Sequence, residues 1–214
     1  MNARSSKWIE GVVAALVLAT ALAFAPGLAR AGDRLLRGRV EVAAPVAAVW
    51  EAFTTEAGVK TFFSPGAKIE PKVDGAYEIW FMPDAPEGER GGDFMRVLAF
   101  EPERRLAFTW NAPLSLPYTR AQRTMVVVEL EPLGASRTRV TLTHLGWGEG
   151  KEWDATYDYF SRAWNVQVLP FLKYRFEHGP IDWAKADEVR AKVKPAVPDM
   201  KVELTARPVR SRRS

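Results

Sequence analysis

The chain has 214 residues, with 30 Lys and Arg against 26 Asp and Glu, and it contains no cysteine. Without cysteine it can form neither disulfides nor thiolate metal sites, and its two histidines are too few for a multi-histidine zinc site. Because residues 180–214 carry nine Lys and Arg against five Asp and Glu, the positive excess belongs to the C-terminal end and not to the globular part. We therefore expect no cofactor, metal or nucleic-acid partner.

The first 31 residues have the three parts of a secretory signal peptide. Arg4 and Lys7 precede an apolar run over residues 11–25, and Ala29-Arg30-Ala31 offers a small-x-small cleavage site. The run is shorter than the roughly 20 residues that span a bilayer, so cleavage after Ala31 is favoured over an uncleaved membrane anchor. The mature protein is accordingly predicted to be periplasmic or secreted.

Residues 32–179 are expected to form a single domain that begins with a strand and two helices. Apolar side chains alternate with charged ones over residues 35–42, which predicts a half-buried strand. Pro45 then suits the first turn of a helix that runs to Thr54. A second short helix is predicted before the Ser64-Pro65-Gly66 turn.

The middle of the chain alternates between strand-like runs and turn-forming residues, with no interval long enough for a crossover helix. This arrangement predicts an antiparallel meander. The six predicted strands are Lys68–Val73, Gly75–Met82, Gly92–Phe100, Arg105–Asn111, Gln122–Glu131 and Arg137–Trp147.

A long amphipathic helix is predicted from Lys151 to His178, because apolar side chains recur there at steps of three or four. Pro170 lies inside it and should produce a kink near Val166–Pro170. A further short helix is predicted over Asp182–Val193. The basic, proline-containing tail of residues 180–214 is otherwise expected to be partly disordered.

Several ordered motifs give the chain a family resemblance over about residues 35–179. They resemble the START-like, Bet v 1-like (SRPBCC) superfamily, and within it the homologues of the activator of Hsp90 ATPase. This resemblance implies an α+β helix-grip fold, in which a curved antiparallel sheet wraps around a long C-terminal helix and encloses a cavity. The motifs are Val42-Ala-Ala-Pro45, Val49-Trp50-Glu51-Ala52-Phe53, Asp74-Gly75-Ala76-Tyr77, Phe100-Glu-Pro102, Arg105-Leu-Ala-Phe-Thr-Trp110, Val140-Thr-Leu-Thr-His144-Leu-Gly146-Trp147 and Trp164.

The side chains that should face the cavity are mostly large and apolar, with a few polar groups among them. Such a lining is typical of a small-molecule site, although aromatic side chains also fill ordinary cores. We therefore predict binding of a small hydrophobic or amphipathic ligand between sheet and helix. The predicted ligand-binding residues are Tyr77, Ile79, Phe81, Phe94, Arg96, Phe108, His144, Tyr157, Phe160 and Trp164.

Two alternatives to simple binding stay open at this point. His144 could move protons in an enzyme of cyclase or dehydratase type, but no serine or acidic partner is placed to complete a relay, and a satisfied core histidine competes with that interpretation. Arg96, if it faces inward, needs either a carboxylate partner such as Glu129 or an anionic ligand. The domain could instead be a protein-interaction, cochaperone-like module that uses its outer sheet face near Trp80. The basic tail could add a weak contact with the envelope surface.

Overall fold

The structure is a computed structural model that describes residues 34–193. The predicted signal peptide and residues 194–214 of the predicted tail lie outside the described residues. No helix within residues 34–193 is long and apolar enough to cross a membrane.

The fold is built on antiparallel strands in two groups. Five strands form one sheet in the order β1-β8-β7-β6-β5, and three form a second in the order β2-β3-β4. The strands are β1 Leu35–Val42, β2 Gly66–Ile69, β3 Tyr77–Trp80, β4 Gly91–Gly92, β5 Val97–Glu101, β6 Arg105–Trp110, β7 Thr124–Pro132 and β8 Thr138–Leu145.

Backbone hydrogen bonds join the two sheets beside β3 and β5. Ala76 forms an isolated antiparallel bridge with Arg96, and the Tyr77 amide donates to the Met95 carbonyl at 2.9 Å. The amide of Val97 donates in turn to the Gly75 carbonyl at 2.9 Å. The predicted meander is therefore one connected antiparallel platform, bordered by β1 at one end and β2 at the other.

The helices pack against this platform. Two short helices follow β1, as predicted, and a long interrupted helix follows β8 and packs on β1 through its C-terminal part. The helical elements are α1 Val46–Thr54, α2 Glu56–Lys60, α3 Pro117–Arg120, α4 Lys151–Arg162, a π-helical turn Ala163–Val168, α5 Leu169–His178, a 3-10 turn Trp183–Lys185 and α6 Ala186–Val193. The expected α+β helix-grip architecture is confirmed.

The irregularity predicted near Pro170 is a π-helical turn. Proline has no N–H, so the carbonyl four residues earlier loses its usual donor, and a wider turn is one way to accommodate that loss. The close approach of this turn to β1 depends on Gly38. A Cβ at Gly38 would lie 2.5 Å from Asn165 Oδ1 and 2.6 Å from Leu169 Cδ1, so the missing side chain lets the long helix lie close to the strand.

Two sequence expectations about the sheet are wrong. The predicted strand Gly92–Phe100 is interrupted by a turn at Asp93 and Phe94, where Phe94 adopts a φ of 63°. The turn reverses which side chains face the core, so Met95 and Val97 are buried while Phe94 is 49% exposed. Arg96 is exposed as well, so the prediction that Phe94 and Arg96 face the cavity is wrong.

The folded unit extends beyond Gly179. Ile181, Val189 and Val193 are buried against the main core, and the amide of Ile181 donates to the Thr61 carbonyl at 2.8 Å. The predicted helix over Asp182–Val193 is confirmed as a 3-10 turn followed by α6. The first part of the predicted tail is therefore integrated into the domain.

Candidate functional site

An open cleft of about 480 Å³ lies between the long helix and one end of the sheet. One wall comes from α4 and the π-helical turn, and the opposite wall comes from β4 and the segment that follows β6. Its lining residues are Phe81, Met82, Gly91, Gly92, Trp110, Asn111, Ala112, Pro113, Leu114, Ser115, Arg120, Tyr159, Phe160, Ala163, Trp164, Gln167 and Val168.

The helical wall of the cleft is formed largely by the π-helical turn. Ala163, Trp164, Gln167 and Val168 all belong to that turn and all line the cleft. Phe160, one turn earlier, stacks on Trp164 with ring centroids 5.6 Å apart. π-helical turns occur often at functional sites, and this one forms a wall of the cleft.

On the opposite wall no side chains project from β4, because this strand consists of Gly91 and Gly92. Gly91 has a φ of 140°, and a Cβ there would lie 2.7 Å from the Ile79 carbonyl oxygen, so a side chain at this position would be strained. Above Gly92, a Cβ would lie 3.1 Å from the six-membered ring of Trp110. The indole of Trp110 therefore packs directly against bare backbone at the base of the cleft.

Apolar side chains surround the mouth of the cleft and remain open to solvent. Phe81, Met82, Leu114 and Tyr159 are all large, exposed hydrophobic residues, and all four line the cleft. Single exposed apolar side chains are common on protein surfaces, whereas a group of them often marks a binding surface. The four side chains form such a group at the mouth of the cleft.

Arg120 joins the two loops that form the sheet side of the mouth. Its guanidinium donates to the Ala112 carbonyl at 2.6 Å, to the Gly88 carbonyl at 2.6 Å and to the Gly91 carbonyl at 3.0 Å. Burial lowers the pKa of Arg120, an effect that nearby Asp93 partly opposes. Among the described residues that line the cleft, Arg120 is the only one with a charged side chain.

His144, the candidate catalytic residue, lies in the core and not at the cleft. Its side chain is fully buried, and it is not among the residues that line the cleft. The Trp164 Nε1–H donates to His144 Nδ1 at 3.0 Å, so the imidazole proton is on Nε2, which donates to Thr124 Oγ1 at 2.7 Å. Thr124 donates in turn to the Trp110 carbonyl at 3.2 Å.

These bonds form a continuous chain that we call the His144 network, comprising Trp164, His144, Thr124 and the Trp110 carbonyl. It connects the long helix to β8, β7 and β6 and satisfies both ring nitrogens. Burial lowers the pKa of His144 to about 3, so the ring is neutral at physiological pH. A neutral, fully bonded imidazole without access to the cleft positions Trp164 and cannot exchange protons with a ligand there.

The structure brings three of the predicted site residues to the cleft: Phe81, Phe160 and Trp164. Tyr77, Ile79 and Phe108 are instead fully buried in the core, where Tyr77 stacks on Phe108 at 4.1 Å. The Tyr77 hydroxyl donates to the Phe53 carbonyl at 3.0 Å. These side chains support the sheet beneath the site.

The remaining predicted site residues lie away from the cleft. Tyr157 is half-buried, and its hydroxyl donates to the Leu35 carbonyl at 3.2 Å, which ties α4 to β1. Phe94 and Arg96 are exposed, as described above. The exposed side chain of Arg96 donates to the Asp74 carbonyl at a long distance of 3.5 Å, so it is not a buried charge that needs a partner.

Sequence reasoning missed the sheet side of the cleft. Trp110 and residues 111–115 come at the end of a predicted strand and in a predicted loop, and they carry most of that wall. Arg120 binds Gly91 across 29 residues of sequence, a pairing that no local pattern reveals. The apolar Leu114 in a turn-rich loop between Pro113 and Pro117 was a weak signal, because single exposed apolar side chains are common on protein surfaces.

No group of three or more His, Cys, Asp or Glu side chains that could hold a metal ion occurs within residues 34–193. The polar groups that line the cleft are amide, hydroxyl, indole and guanidinium groups. Groups of these kinds supply the few polar contacts in many small-molecule sites.

The platform, the long helix and the cleft between them define a START-like helix-grip domain. The family described as Activator of Hsp90 ATPase homolog 1-like protein matches residues 43–177. The chain belongs to this family, as its sequence motifs indicate.

Solved structures share the fold at low sequence identity. Protein MLL2253 from Mesorhizobium loti is 21% identical, with a TM-score of 0.51, over 68% of this chain and 99% of that one. The Aha1 dimer from Colwellia psychrerythraea is 20% identical, with a TM-score of 0.52, over 68% and 97%. PFC0360w, an HSP90 activator from Plasmodium falciparum, is 16% identical, with a TM-score of 0.51, over 69% and 98%. A comparison with curated proteins gives no match.

Proposed function

We propose that this protein binds a small hydrophobic or amphipathic molecule in the cleft between the sheet and the long helix. The observation that carries the proposal is the cleft itself, about 480 Å³ in volume, with Trp110, Phe160 and Trp164 in its walls. This volume lies within the range of small-molecule sites, which are likewise mostly apolar with a few placed polar groups. The exposed apolar mouth supports the same function.

The proposal is tested by filling the cleft. Ala163 is half-buried on the helical wall, so Ala163→Trp should occupy the space that a ligand needs. Ala155 is exposed on α4, and Ala155→Trp is the matched control with the same added side chain. Native mass spectrometry and thermal-shift screens with lipids, polyketides and aromatic acids should detect retained or stabilising ligands for the unchanged protein and for Ala155→Trp, and none for Ala163→Trp. A screen without any ligand for the unchanged protein would overturn the proposal.

The two alternatives have less support from the described residues. An enzyme that uses His144 would need the imidazole at the cleft, whereas the ring is sealed inside the His144 network. An interaction surface centred on Trp80 would need an exposed anchor, whereas the Trp80 indole donates to Glu78 at 3.2 Å and is covered by Arg90 at 4.2 Å. Ligand binding is therefore the function that the geometry supports best.

We also propose that binding takes place outside the cytoplasm, after removal of residues 1–31. Support comes from the basic start, the apolar run and the Ala29-Arg30-Ala31 cleavage site. Mass spectrometry of the protein from the extracellular or periplasmic fraction should find Gly32 at the N-terminus. A protein that starts at Met1 in the membrane fraction would favour the uncleaved anchor instead.

A further inference from the structure

The cleft has an unbalanced set of charges and hydrogen-bonding groups. Among the described residues, Arg120 is its only charged lining residue, and no Asp or Glu side chain belongs to the lining. The inference drawn from this lining rests on the proposed function, since it concerns the same cleft. It specifies the chemical class of the small molecule that would bind there.

Arg120 retains hydrogen-bonding capacity after it has clamped the two loops. Nη2 donates to the carbonyls of Gly88 and Gly91, and Nη1 donates once, to the carbonyl of Ala112. A guanidinium has five N–H groups, so Nε–H and one Nη1–H have no acceptor within residues 34–193. The three carbonyls accept hydrogen bonds from Arg120, but because they are neutral they do not balance its positive charge.

The carboxylate with the largest charge effect on Arg120, Asp93, is buried and bonded to other donors. Asp93 accepts from Arg90 Nε at 2.6 Å with one oxygen and from the Gly91 amide at 3.1 Å with the other. Asp93 raises the pKa of Arg120 through its charge, and the more exposed Glu89 does so to a smaller degree, while Arg123 lowers it. None of the salt bridges in the described part of the chain involves Arg120.

Two further donors line the same cleft. Trp110 is 2% exposed, and its buried Nε1–H has no hydrogen-bond partner in the described part of the chain. Gln167 uses its side-chain oxygen to accept from Arg190 at 3.2 Å, which leaves its NH₂ group as a donor. A buried donor without an acceptor is rare in folded proteins, and the Trp110 Nε1–H is one such donor beside the cleft. Arg120 and Gln167 are half-buried, so their free N–H groups are the ones that would favour a ligand with hydrogen-bond acceptors.

We propose that the ligand of this cleft is an apolar molecule that carries a carboxylate, with Arg120 as the residue that recognises the negative charge. The hydrocarbon or aromatic body contacts Trp110, Phe160 and Trp164, and the carboxylate accepts hydrogen bonds from Arg120 at the mouth. Charge-assisted hydrogen bonds are stronger than neutral ones, so the carboxylate contributes both affinity and orientation.

The direct test compares three probes that share a decyl chain and differ in the charge of the head group: decanoate, decanol and decylammonium. In calorimetric titrations at pH 7, we expect decanoate to bind about tenfold more tightly than decanol and decylammonium to bind more weakly than decanol. The affinity for decanoate should also fall as salt is added, while that for decanol should not. Equal affinities for the three probes, or a preference for decylammonium, would overturn the inference.

A pair of arginine variants assigns the effect to one residue. Arg120→Gln should weaken decanoate binding about tenfold and change decanol binding by less than about twofold. Arg39→Gln removes the same charge from an exposed position outside the cleft, whose side chain donates to Thr141 Oγ1 at 3.4 Å, and it should change neither affinity. Should Arg120→Gln unfold because its clamp is lost, the probe series on the unchanged protein decides the matter by itself.

The outcomes separate this inference from the proposed function. If none of the three probes nor any other apolar compound binds, the proposed function itself fails. If decanol and decanoate bind equally and Ala163→Trp abolishes both, the cleft is a ligand site but the carboxylate preference is wrong. Tighter decanoate binding that survives Arg120→Gln would also contradict the assignment of the charge to Arg120.

Discussion

The polar atoms around His144 all have hydrogen-bond partners, whereas several of those around the cleft have none in the part of the chain that the structure describes, although Trp164 belongs to both regions. In the His144 network each donor meets an acceptor, and the whole chain of bonds is shielded from water. At the cleft, Trp110, Arg120 and Gln167 keep N–H groups without acceptors in the described part of the chain. Buried groups that are satisfied stabilise a fold, whereas unsatisfied donors beside an opening are groups that a ligand can satisfy. The contrast separates residues that hold the site from residues that would use it.

The largest effect is expected when the sealed region is broken. His144→Ala should lower the free energy of unfolding by about 3 to 5 kcal/mol, because it leaves a cavity and removes the partners of Trp164 Nε1 and Thr124 Oγ1. Urea unfolding of both proteins measures the difference. His178→Ala changes an exposed histidine and should alter stability by less than about 0.5 kcal/mol. A His144→Ala variant as stable as the His178→Ala control would contradict the structural role.

Lowering the pH should destabilise the region around His144 in the unmutated protein. Burial lowers the pKa of His144 to about 3, whereas an unfolded histidine titrates near 6.5. Between these pH values the unfolded chain binds a proton that the folded chain does not, so the free energy of unfolding falls as the pH falls. From pH 6.5 to 4.5 this contribution is about 2 to 3 kcal/mol.

Comparison with His144→Gln isolates the contribution of His144, because glutamine does not titrate. Between pH 6.5 and 4.5 the free energy of unfolding of this variant should fall by about 2 to 3 kcal/mol less than that of the unchanged protein. The ring signals of His144 in NMR spectra should also stay unchanged between pH 7 and 4.5. A His144 resonance that titrates near pH 6 would show that the ring is open to water.

A smaller effect should distinguish two similar tryptophans. Trp164 and Trp110 are both 2% exposed, but only the indole N–H of Trp164 has an acceptor. Trp164→Phe should therefore destabilise the protein by about 1 to 2 kcal/mol more than Trp110→Phe, because it alone leaves a buried nitrogen of His144 unsatisfied. Chemical denaturation of the two variants gives the comparison directly, and equal losses would mean that the hydrogen bond to His144 contributes nothing measurable.

The smallest effect on stability is expected at the mouth of the cleft. Leu114 is 45% exposed there, so Leu114→Ser should change the free energy of unfolding by less than about 0.5 kcal/mol and yet weaken the binding of an apolar ligand severalfold. Leu98 is 43% exposed outside the cleft, and Leu98→Ser should affect neither property. Thermal melts together with ligand titrations test both variants, and equal ligand affinity for both would remove Leu114 from the entrance.

Much of the fold could be predicted because it depends on local periodicity. Leu36, Val40 and Val42 alternate with exposed Arg39 and Glu41 in β1, and this period of two is visible in the sequence. The stripe from Trp153 to Phe171 likewise identifies the long helix. These patterns can be recognised in the sequence because the residues that form one buried face are only a few positions apart.

The candidate site was predictable only in part, because it depends on contacts between distant segments. The helical wall follows from the stripe that contains Phe160 and Trp164. Met95 and Val97 face the core because Phe94 adopts a left-handed backbone conformation. Aromatic residues seldom adopt that conformation, and no neighbouring residue predicts it. The sequence analysis considered an inward-facing arginine at Arg96, whereas the structure places Arg120 at the cleft, bonded to backbone carbonyls far from it in sequence.

The π-helical turn between α4 and α5 acts as an insertion within the long helix. Its hydrogen bonds join residues five apart, so the turn holds one residue more than a regular α-helical turn. One added residue rotates the positions that follow it by about 100° relative to a regular helix. In α5 the buried residues are the four consecutive positions Leu169, Pro170, Phe171 and Leu172, whereas the buried positions of α4 are three or four residues apart. An alignment with a relative whose helix is regular needs a one-residue gap between Ala163 and Val168.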